Sequence, residues 1–397
     1  MRIVHIITRL VVGGAQENTI ASVLGLRLKP EVDVALLAGP TRGPEGSLEA
    51  LAVEIPGLFT RIPALVRPLH PWKDVLALRA LTRWLRQRRP DLVHTHSGKA
   101  GILGRLAARR AGVPVIVHTI HGPSFGPFQG ALPNTVYRAA ERVAGRVTTH
   151  FVGVADAMIR QYLAAGIGCP GQYTRVFSGF ALEPFLSARN DPAFRQQLGL
   201  APDDFVVGKI ARLFELKGHE DLLAITPALR RQCPKMRLLF VGDGAWRERL
   251  QRRVQAADLA DRVLFTGLVK PEAVPQYVGV MDVLVHLSRR EGLARALPQA
   301  LAAGKPVVAF DCDGAAEVCR AGETGFLLPA GDLAGLAQRL LELADNPALR
   351  ECLGRRGQGF VREHFPVERM VEDLYRLYGR LLAGSTRGSP GGGSAAP

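Results

Sequence analysis

The chain has 397 residues, 47% of them hydrophobic, enough to bury large cores and to suggest two domains rather than a disordered polypeptide. Its five cysteines (Cys169, Cys233, Cys312, Cys319, Cys352) lack CxxC spacing, which argues against a zinc site or a disulfide framework and fits a reduced, cytoplasmic setting. The net charge of +15 is concentrated: residues 1–182 hold 22 Lys and Arg against 10 Asp and Glu, whereas the remainder holds 29 against 26.

That surplus points to an anionic partner, a membrane surface or a nucleic acid. With 6% aromatic residues and no RNP box, helix-turn-helix or finger signature, nucleic acid is the poorer choice. No run of about 18 apolar residues is present, so no transmembrane helix is expected.

Residues 2–8 read as a buried strand, followed by a loop and a helix beginning near residue 15. The apolar start runs into Gly13 and Gly14 rather than a small-residue cleavage site, which reads as a strand and not a signal peptide. The loop lacks GxGxxG, which disfavours a nicotinamide or flavin enzyme, but paired glycines still let a phosphate or sugar approach the backbone. A strand at 32–38 and a Pro/Gly-rich loop at 39–46 come next.

A helix is expected over 71–89, with Val75, Leu78, Leu81 and Leu85 inward and Arg79, Arg83 and Arg86 on another side. That basic side is either a solvated face or a membrane-surface one. A strand at 91–95 leads into His96-Ser97-Gly98-Lys99 and a helix over 100–110. A strand at 113–119 ends in His118-Thr119-Ile120-His121-Gly122. Polar side chains thus collect at the carboxyl ends of parallel strands, where ligands bind in open α/β sheets. His94 and His96 read as packing or hydrogen-bonding residues rather than catalysts. Short strands at 147–154 and 174–177 precede an irregular stretch at 182–204, read as the interdomain connection.

The second half restarts with a strand at 205–211 that runs into Arg212 and Lys217, with a helix from about His219. Strands follow at 238–241, 263–266, 283–287 and 307–310, with a helix at 246–257 and helical pieces at 314–319 and 333–344. A terminal helix at 366–382 precedes a Gly/Ser/Pro tail that cannot order itself. In the stretch SRREGLARALPQALAAGKPVVAF (288–310), Leu293, Ala296, Leu297, Ala300 and Leu301 share one helical face. Pro298 lacks an amide hydrogen and clashes with the carbonyl four residues back, so the helix starts near Ala294 and leaves Glu291, Gly292 and Leu293 as loop. Unpaired amides and roughly half a positive charge at that helix start suit a phosphate; the plainer alternative is an ordinary helix end with Glu291 as dipole partner. Arg212 and Lys217 are spaced to neutralise a diphosphate leaving group. Asp311-Cys312-Asp313 has the letters of a metal motif but reads as structural.

These elements together resemble the retaining glycosyltransferases of family 4, of group 1 type. The most specific parts are GKIARLFELKGHEDLL (208–223), VGDG (241–244) and SRREGLARALPQALAAGKPVVA (288–309); RLVVGGAQEN (9–18), HTHSGKAG (94–101) and HTIHG (118–122) are weaker. The resemblance implies an α/β chain of GT-B architecture, two Rossmann-like doubly wound parallel-sheet domains facing an interdomain cleft. Its expected divisions are 1–182, a linker at 183–204, a nucleotide-sugar domain at 205–365, a helix at 366–383 packing back on the first domain, and a disordered tail at 384–397.

By the same resemblance, the chain transfers a hexosyl or N-acetylhexosaminyl group with retention from a nucleoside diphosphate sugar to a hydroxyl acceptor, in polysaccharide or glycolipid synthesis. Neither metal nor other cofactor is expected. Arg212 and Lys217 would hold the diphosphate, with the amides of Gly292, Leu293 and Ala294. Glu291 and His121 would meet the transferred sugar, with Gly13, Gly14 and Lys99 near the sugar or acceptor. Gly267, Leu268, Val269 and Lys270 would lie near the base. The family's second glutamate, which contacts ribose, is Gln299 here, at a cost of about 1 kcal/mol in a charge-assisted bond. Ser178-Gly179-Phe180-Ala181 also departs from the usual Asn-Gly-Val/Ile-Asp. The acceptor would be lipid-linked if the basic N-terminal half meets the inner face of an anionic membrane. A nucleotide-sugar epimerase of the same fold, or a catalytically weak scaffold subunit, are the alternatives.

Overall fold

A computed structural model describes residues 1–41, 46–126 and 128–387; part of the expected 39–46 loop, and the tail from 388 onward, lie outside them. The chain divides into two units, Met1–Phe180 with the segment from Val367, and Ala181–Pro366.

The first unit runs β1 (Arg2–Ile7), α1 (Gly14–Arg27), β2 (Asp33–Ala38), α2 (Ala50–Val53), β3 (Phe59–Arg61), α3 (Pro71–Arg88), β4 (Leu92–His96), α4 (Gly98–Ala111), β5 (Val115–Ile120), α5 (Ala131–Gly145), β6 (His150–Gly153), α6 (Asp156–Ala164) and β7 (Tyr173–Arg175). The strands are near-continuous apolar runs, as expected of a sheet covered on both faces. They form one parallel sheet in the order β3-β2-β1-β4-β5-β6-β7. The order reverses between β1 and β4, the switch point where such sheets bind ligands.

The second unit runs α7 (Glu183–Leu186), α8 (Pro192–Gln197), β8 (Phe205–Ile210), α9 (His219–Gln232), β9 (Met236–Val241), α10 (Arg247–Ala256), β10 (Val263–Phe265), α11 (Val274–Gly279), β11 (Val283–His286), α12 (Ala296–Ala302), β12 (Val307–Phe310), β13 (Gly325–Leu328), α13 (Leu333–Asp345) and α14 (Pro347–His364). Its six parallel strands are ordered β10-β9-β8-β11-β12-β13, with the reversal between β8 and β11.

The last helix, α15 (Val367–Arg387), belongs to the first unit. Met370, Val371, Leu374, Leu377 and Tyr378 are buried in one core with Ile20 and Val23 of α1 and Ile3 and Ile7 of β1. Each such side chain contributes about 1.5–3 kcal/mol by leaving water. Lys29 and Glu372 add an ion pair at 2.6 Å, and Asn18 Nδ2 donates to Ser178 Oγ at 3.0 Å.

Several expectations need correction. Residues 183–204 are built into the second unit rather than linking two bodies. Phe194 and Arg195 are buried, and the Arg195 guanidinium donates to the carbonyls of Ala201, Asp204 and Val280. Residues 384–387, expected to be tail, continue α15. On α3 the buried side is Ala77, Leu81, Thr82 and Leu85, while Val75 is exposed; Arg79, Arg83 and Arg86 face solvent as expected. The helix after Glu291 begins at Ala296, not Ala294, so Pro298 sits in its first turn, where no amide hydrogen is needed.

Candidate active site

In the second unit, four neighbouring strands end in polar loops at one edge of the sheet. Arg212 and Lys217 follow β8, Gly242-Asp243-Gly244 follows β9, Gly267, Leu268, Val269 and Lys270 follow β10, and Glu291 follows β11. The Lys217 loop is locked by Gly218, whose backbone is left-handed (φ 68°) and where a Cβ would stand 2.1 Å from the Leu287 carbonyl oxygen. Only glycine fits there. Arg289 N donates to the Leu216 carbonyl at 2.9 Å, joining the β8 and β11 loops.

The Lys217 ammonium is paired with the Glu291 carboxylate, and Ser288 Oγ donates to the same carboxylate oxygen at 3.4 Å. Burial alone would raise the Glu291 pKa, but Lys217 and these hydrogen bonds outweigh it and hold the carboxyl below its ordinary value. The Glu291 amide donates to Asp313 Oδ2 at 2.8 Å, and the Gly314 amide to the Gly292 carbonyl at 3.0 Å. Asp313 is itself left-handed (φ 50°), a conformation that aspartate tolerates and that aims its carboxylate at the Glu291 loop. The Asp-Cys-Asp letters therefore serve, through Asp313, to hold Glu291.

Behind the pair, Lys209 is fully buried with its ammonium unpartnered. Burial and the nearby Lys217 lower its pKa to about 7, against the opposing pull of Asp221 and Glu291. Arg212 is exposed, its guanidinium 5.9 Å from the Phe214 ring. Gly292 and Ala294 are buried, Leu293 is half-buried, and Gln299 is half-buried on α12. Gly242 N donates to the Gly267 carbonyl at 3.1 Å, which draws the 267–270 loop beside β9; Leu268 and Lys270 there face solvent.

In the first unit, loops from the adjacent strands β1, β4 and β5 gather at one edge. Gly13 caps α1 in an extended conformation and Gly14, exposed, opens it with no side-chain cap. Ala100 N donates to Thr8 Oγ1 at 3.1 Å, tying the first turn of α4 to the β1 loop. Ser97, just after β4, is held at φ 67°, strain of the kind stored at functional sites. Lys99 is not left open: its ammonium pairs with Asp74 at 2.5 Å and donates to the Pro68 carbonyl, both near the start of α3.

His121 stands just past β5, half-buried, with its pKa lowered to about 3 by burial. It joins a group of histidines of which His5 was not singled out in the sequence. His5 and His94 lie opposite each other in register on β1 and β4, and His96 follows two residues on, on the same face. His94 bridges Tyr378 Oη of α15 and Thr119 Oγ1, the latter at 2.6 Å. Ring nitrogens of His5, His94 and His96 lie within 4.8 Å of one another, the one grouping with metal-ligand spacing among the described residues. Five of their six nitrogens are already hydrogen-bonded, which is the chemistry of a buried polar network rather than of open ligands. Missed in the sequence were His5, Lys209 and the clamp role of Asp313. Alternation of His94 and His96 was the available signal, but His5 joins them only through strand pairing.

A family profile described as "Glycosyl transferase 4-like domain" matches residues 17–177, and one described as "Glycosyl transferases group 1" matches residues 190–360. An Escherichia coli protein named UDP-Gal:alpha-D-GlcNAc-diphosphoundecaprenol alpha-1,3-galactosyltransferase is 27% identical over 321 residues, 80% of this chain and 82% of its own. The 2-deoxystreptamine N-acetyl-D-glucosaminyltransferase of Streptomyces fradiae is 29% identical over 367 residues, 85% of this chain and 82% of its own. The solved structure of Anabaena Alr3699/HepE in complex with UDP-glucose superposes with a TM-score of 0.79 at 22% identity, covering 96% of this chain and all of that one. Two doubly wound parallel sheets of this kind define the GT-B class of fold. The chain belongs to the family 4 glycosyltransferases of the group 1 type.

Proposed function

We propose that the protein transfers a hexosyl or N-acetylhexosaminyl group, with retention, from a nucleoside diphosphate sugar to the hydroxyl of a lipid-linked acceptor, in polysaccharide or glycolipid synthesis. The observation that carries this reading is the Lys217–Glu291 pair, held at adjacent strand ends by Gly218 and Asp313. In this reading Lys217 and Arg212 neutralise the leaving diphosphate and the amides of Gly292, Leu293 and Ala294 contact it. Glu291 binds the transferred sugar. The acceptor hydroxyl attacks from the face that the leaving group departs, and the departing phosphate oxygen takes its proton. Gln299 meets the ribose, the 267–270 loop the base, and Gly13, Gly14 and His121 the sugar or acceptor. Fixed cations supply the charge, so transfer proceeds in a chelator without loss.

The lipid-linked acceptor is supported by the diphosphoundecaprenol named in the Escherichia coli relative's activity and by the open side of α3. There Trp72, 68% exposed, stands with Val75 and Leu76 among the exposed Lys73, Arg79, Arg83 and Arg86. Apolar anchors within a cationic field suit the interface of an anionic bilayer. Among the described residues no helix is long and apolar enough to cross a membrane. Salt-dependent binding to anionic but not neutral vesicles is the expected result.

The direct test is a thermal-shift screen of uridine, guanosine and adenosine diphosphate sugars, followed by transfer to an added acceptor with the stabilising donor. Replacement Lys217→Ala should remove the transfer; undiminished turnover would overturn the reading. Interconversion of the donor without transfer would mark an epimerase instead.

A further inference from the structure

His5, His96 and His121 are connected in line. His5 Nδ1 meets His96 Nε2 at 2.9 Å, and His96 Nδ1 meets His121 Nε2 at 3.0 Å. The His5 and His96 rings lie 13° from coplanar with centroids 5.1 Å apart, the geometry of two imidazoles joined edge to edge through their nitrogens rather than face to face. The first two are fully buried, and burial depresses the basicity of all three, so the chain is neutral.

A neutral imidazole has one N–H and one lone pair. Both hydrogen bonds can then be made in only two ways, with every N–H pointing along the chain in the same direction. In one, His5 Nδ1 donates to His96, His96 Nδ1 donates to His121 Nε2, and the His121 proton must sit on Nδ1. In the other, all donors reverse, and His5 must carry its proton on Nε2. That atom is buried without a partner, so the second arrangement would strand an N–H, and the first leaves only a bare lone pair. Orphaned buried N–H groups are the rarer of the two in folded proteins. The far end of the chain therefore selects the tautomer at the near end. His121 is half-buried, and its Nδ1 makes no hydrogen bond among the described residues.

We propose that His5 and His96 are positioning residues that fix the proton of His121 on Nδ1, so that His121 offers a hydrogen-bond donor to the sugar. The use of that donor rests on the reading of His121 given under the proposed function. The chain reaches from β1 through β4 to the loop after β5, so the first strand of the fold sets the chemistry of a loop more than a hundred residues later. His94 is not a link; it occupies both its nitrogens with Tyr378 and Thr119 and walls the chain on one side.

The test uses the whole protein labelled with isotopic nitrogen in its histidines. Long-range proton–nitrogen NMR spectra should show His121 protonated at Nδ1. His5→Met keeps a similar volume but offers only an acceptor sulfur, so His96 Nε2 must donate to it; the His121 proton should move to Nε2 and kcat/KM for sugar transfer should fall by about tenfold. His5→Asn restores an amide N–H near the place of Nδ1 and should keep both the tautomer and the rate within about twofold. A wild-type His121 protonated at Nε2 overturns the proposal, as does a His5→Met protein with unchanged tautomer or unchanged kcat/KM. The spectra need no turnover, so a protein inactive towards every donor defeats the functional reading while the tautomer is still decided. Should His5→Met not fold, the wild-type and His5→Asn spectra decide alone.

Discussion

At the strand ends of the second unit charge is met by charge: Lys217 pairs with Glu291, Arg289 with Asp221 at 2.9 Å, and Arg247 with Asp243 at 2.8 Å. At the same edge of the first unit, His5, His94, His96 and Thr119 meet through neutral hydrogen bonds in a dry interior. The difference is one of what each can exchange. An ion pair at a loop gives up one partner to an incoming anion and loses little, because a new charge replaces the old. A buried neutral network has no such substitute, and a partly broken one costs more than an apolar core. The second unit is thus built to receive a charged ligand, and the first to hold its groups in fixed protonation states.

Acid should break this contrast most visibly. His5, His94, His96, His118 and His121 are all lowered by burial, to about 3 for His5 and His121, from an ordinary value of 6.5. A histidine held neutral stabilises the fold fully above pH 6.5, and that contribution is lost as pH falls from there toward the folded value, by ~1.4 kcal/mol per histidine per pH unit. The second unit has His219 and His286 in the same state, so the first should unfold at the lower temperature as pH is brought from 7 to 5. Calorimetry resolving the two transitions checks this; loss of the second unit first would reverse the contrast. Next in size is Lys217→Ala, expected to lower kcat by roughly 10²–10³, as for loss of one electrostatic contact to a transition state. Its effect should fall on rate far more than on melting temperature. Asp313→Ala frees the Glu291 amide and should lower donor turnover by ~10–100-fold, the worth of a hydrogen bond to a charged group. The smallest effect, about 1 kcal/mol, is expected of Gln299→Glu, which should tighten donor binding in calorimetric titration if residue 299 meets a ribose.

Strands dominated by apolar residues, such as β8, β11 and β12, were legible in the sequence because burial on both faces leaves mostly an apolar run. Helix α5 was not, and its side chains show why. Leu132, Val136 and Val143 face outward, while Glu141, Ala144 and Gly145 are the buried side. Helix α14 was hidden for another reason: it approaches its neighbours through Gly354 and Gly357, where a Cβ would stand 1.9 Å from the Gly304 carbonyl oxygen and 2.5 Å from Leu301. Glycine contacts leave no apolar stripe to count. Edge strands β3 and β13, three and four residues long, are too short to show a period. In the candidate site, the place of Arg212, Lys217 and Glu291 in loops that follow strands was readable. Asp313 and His5 were not, since each acts through a partner distant in sequence, 22 residues in one case and 91 in the other.

The placement of α15 has a consequence for synthesis. A ribosome delivers β1, β4 and β5 first, but the helix that covers His94 and the apolar side of α1 is the last of the described elements to emerge. Domains ordinarily fold in the order of translation. Here the unit begun first is closed last, and the second unit, contiguous from Ala181 to Pro366, can be finished while the first still waits for its lid. A chain stopped short of Val367 would carry a complete carboxyl-terminal body and an amino-terminal unit whose α1 core lacks the Met370, Val371, Leu374, Leu377 and Tyr378 side chains that complete it.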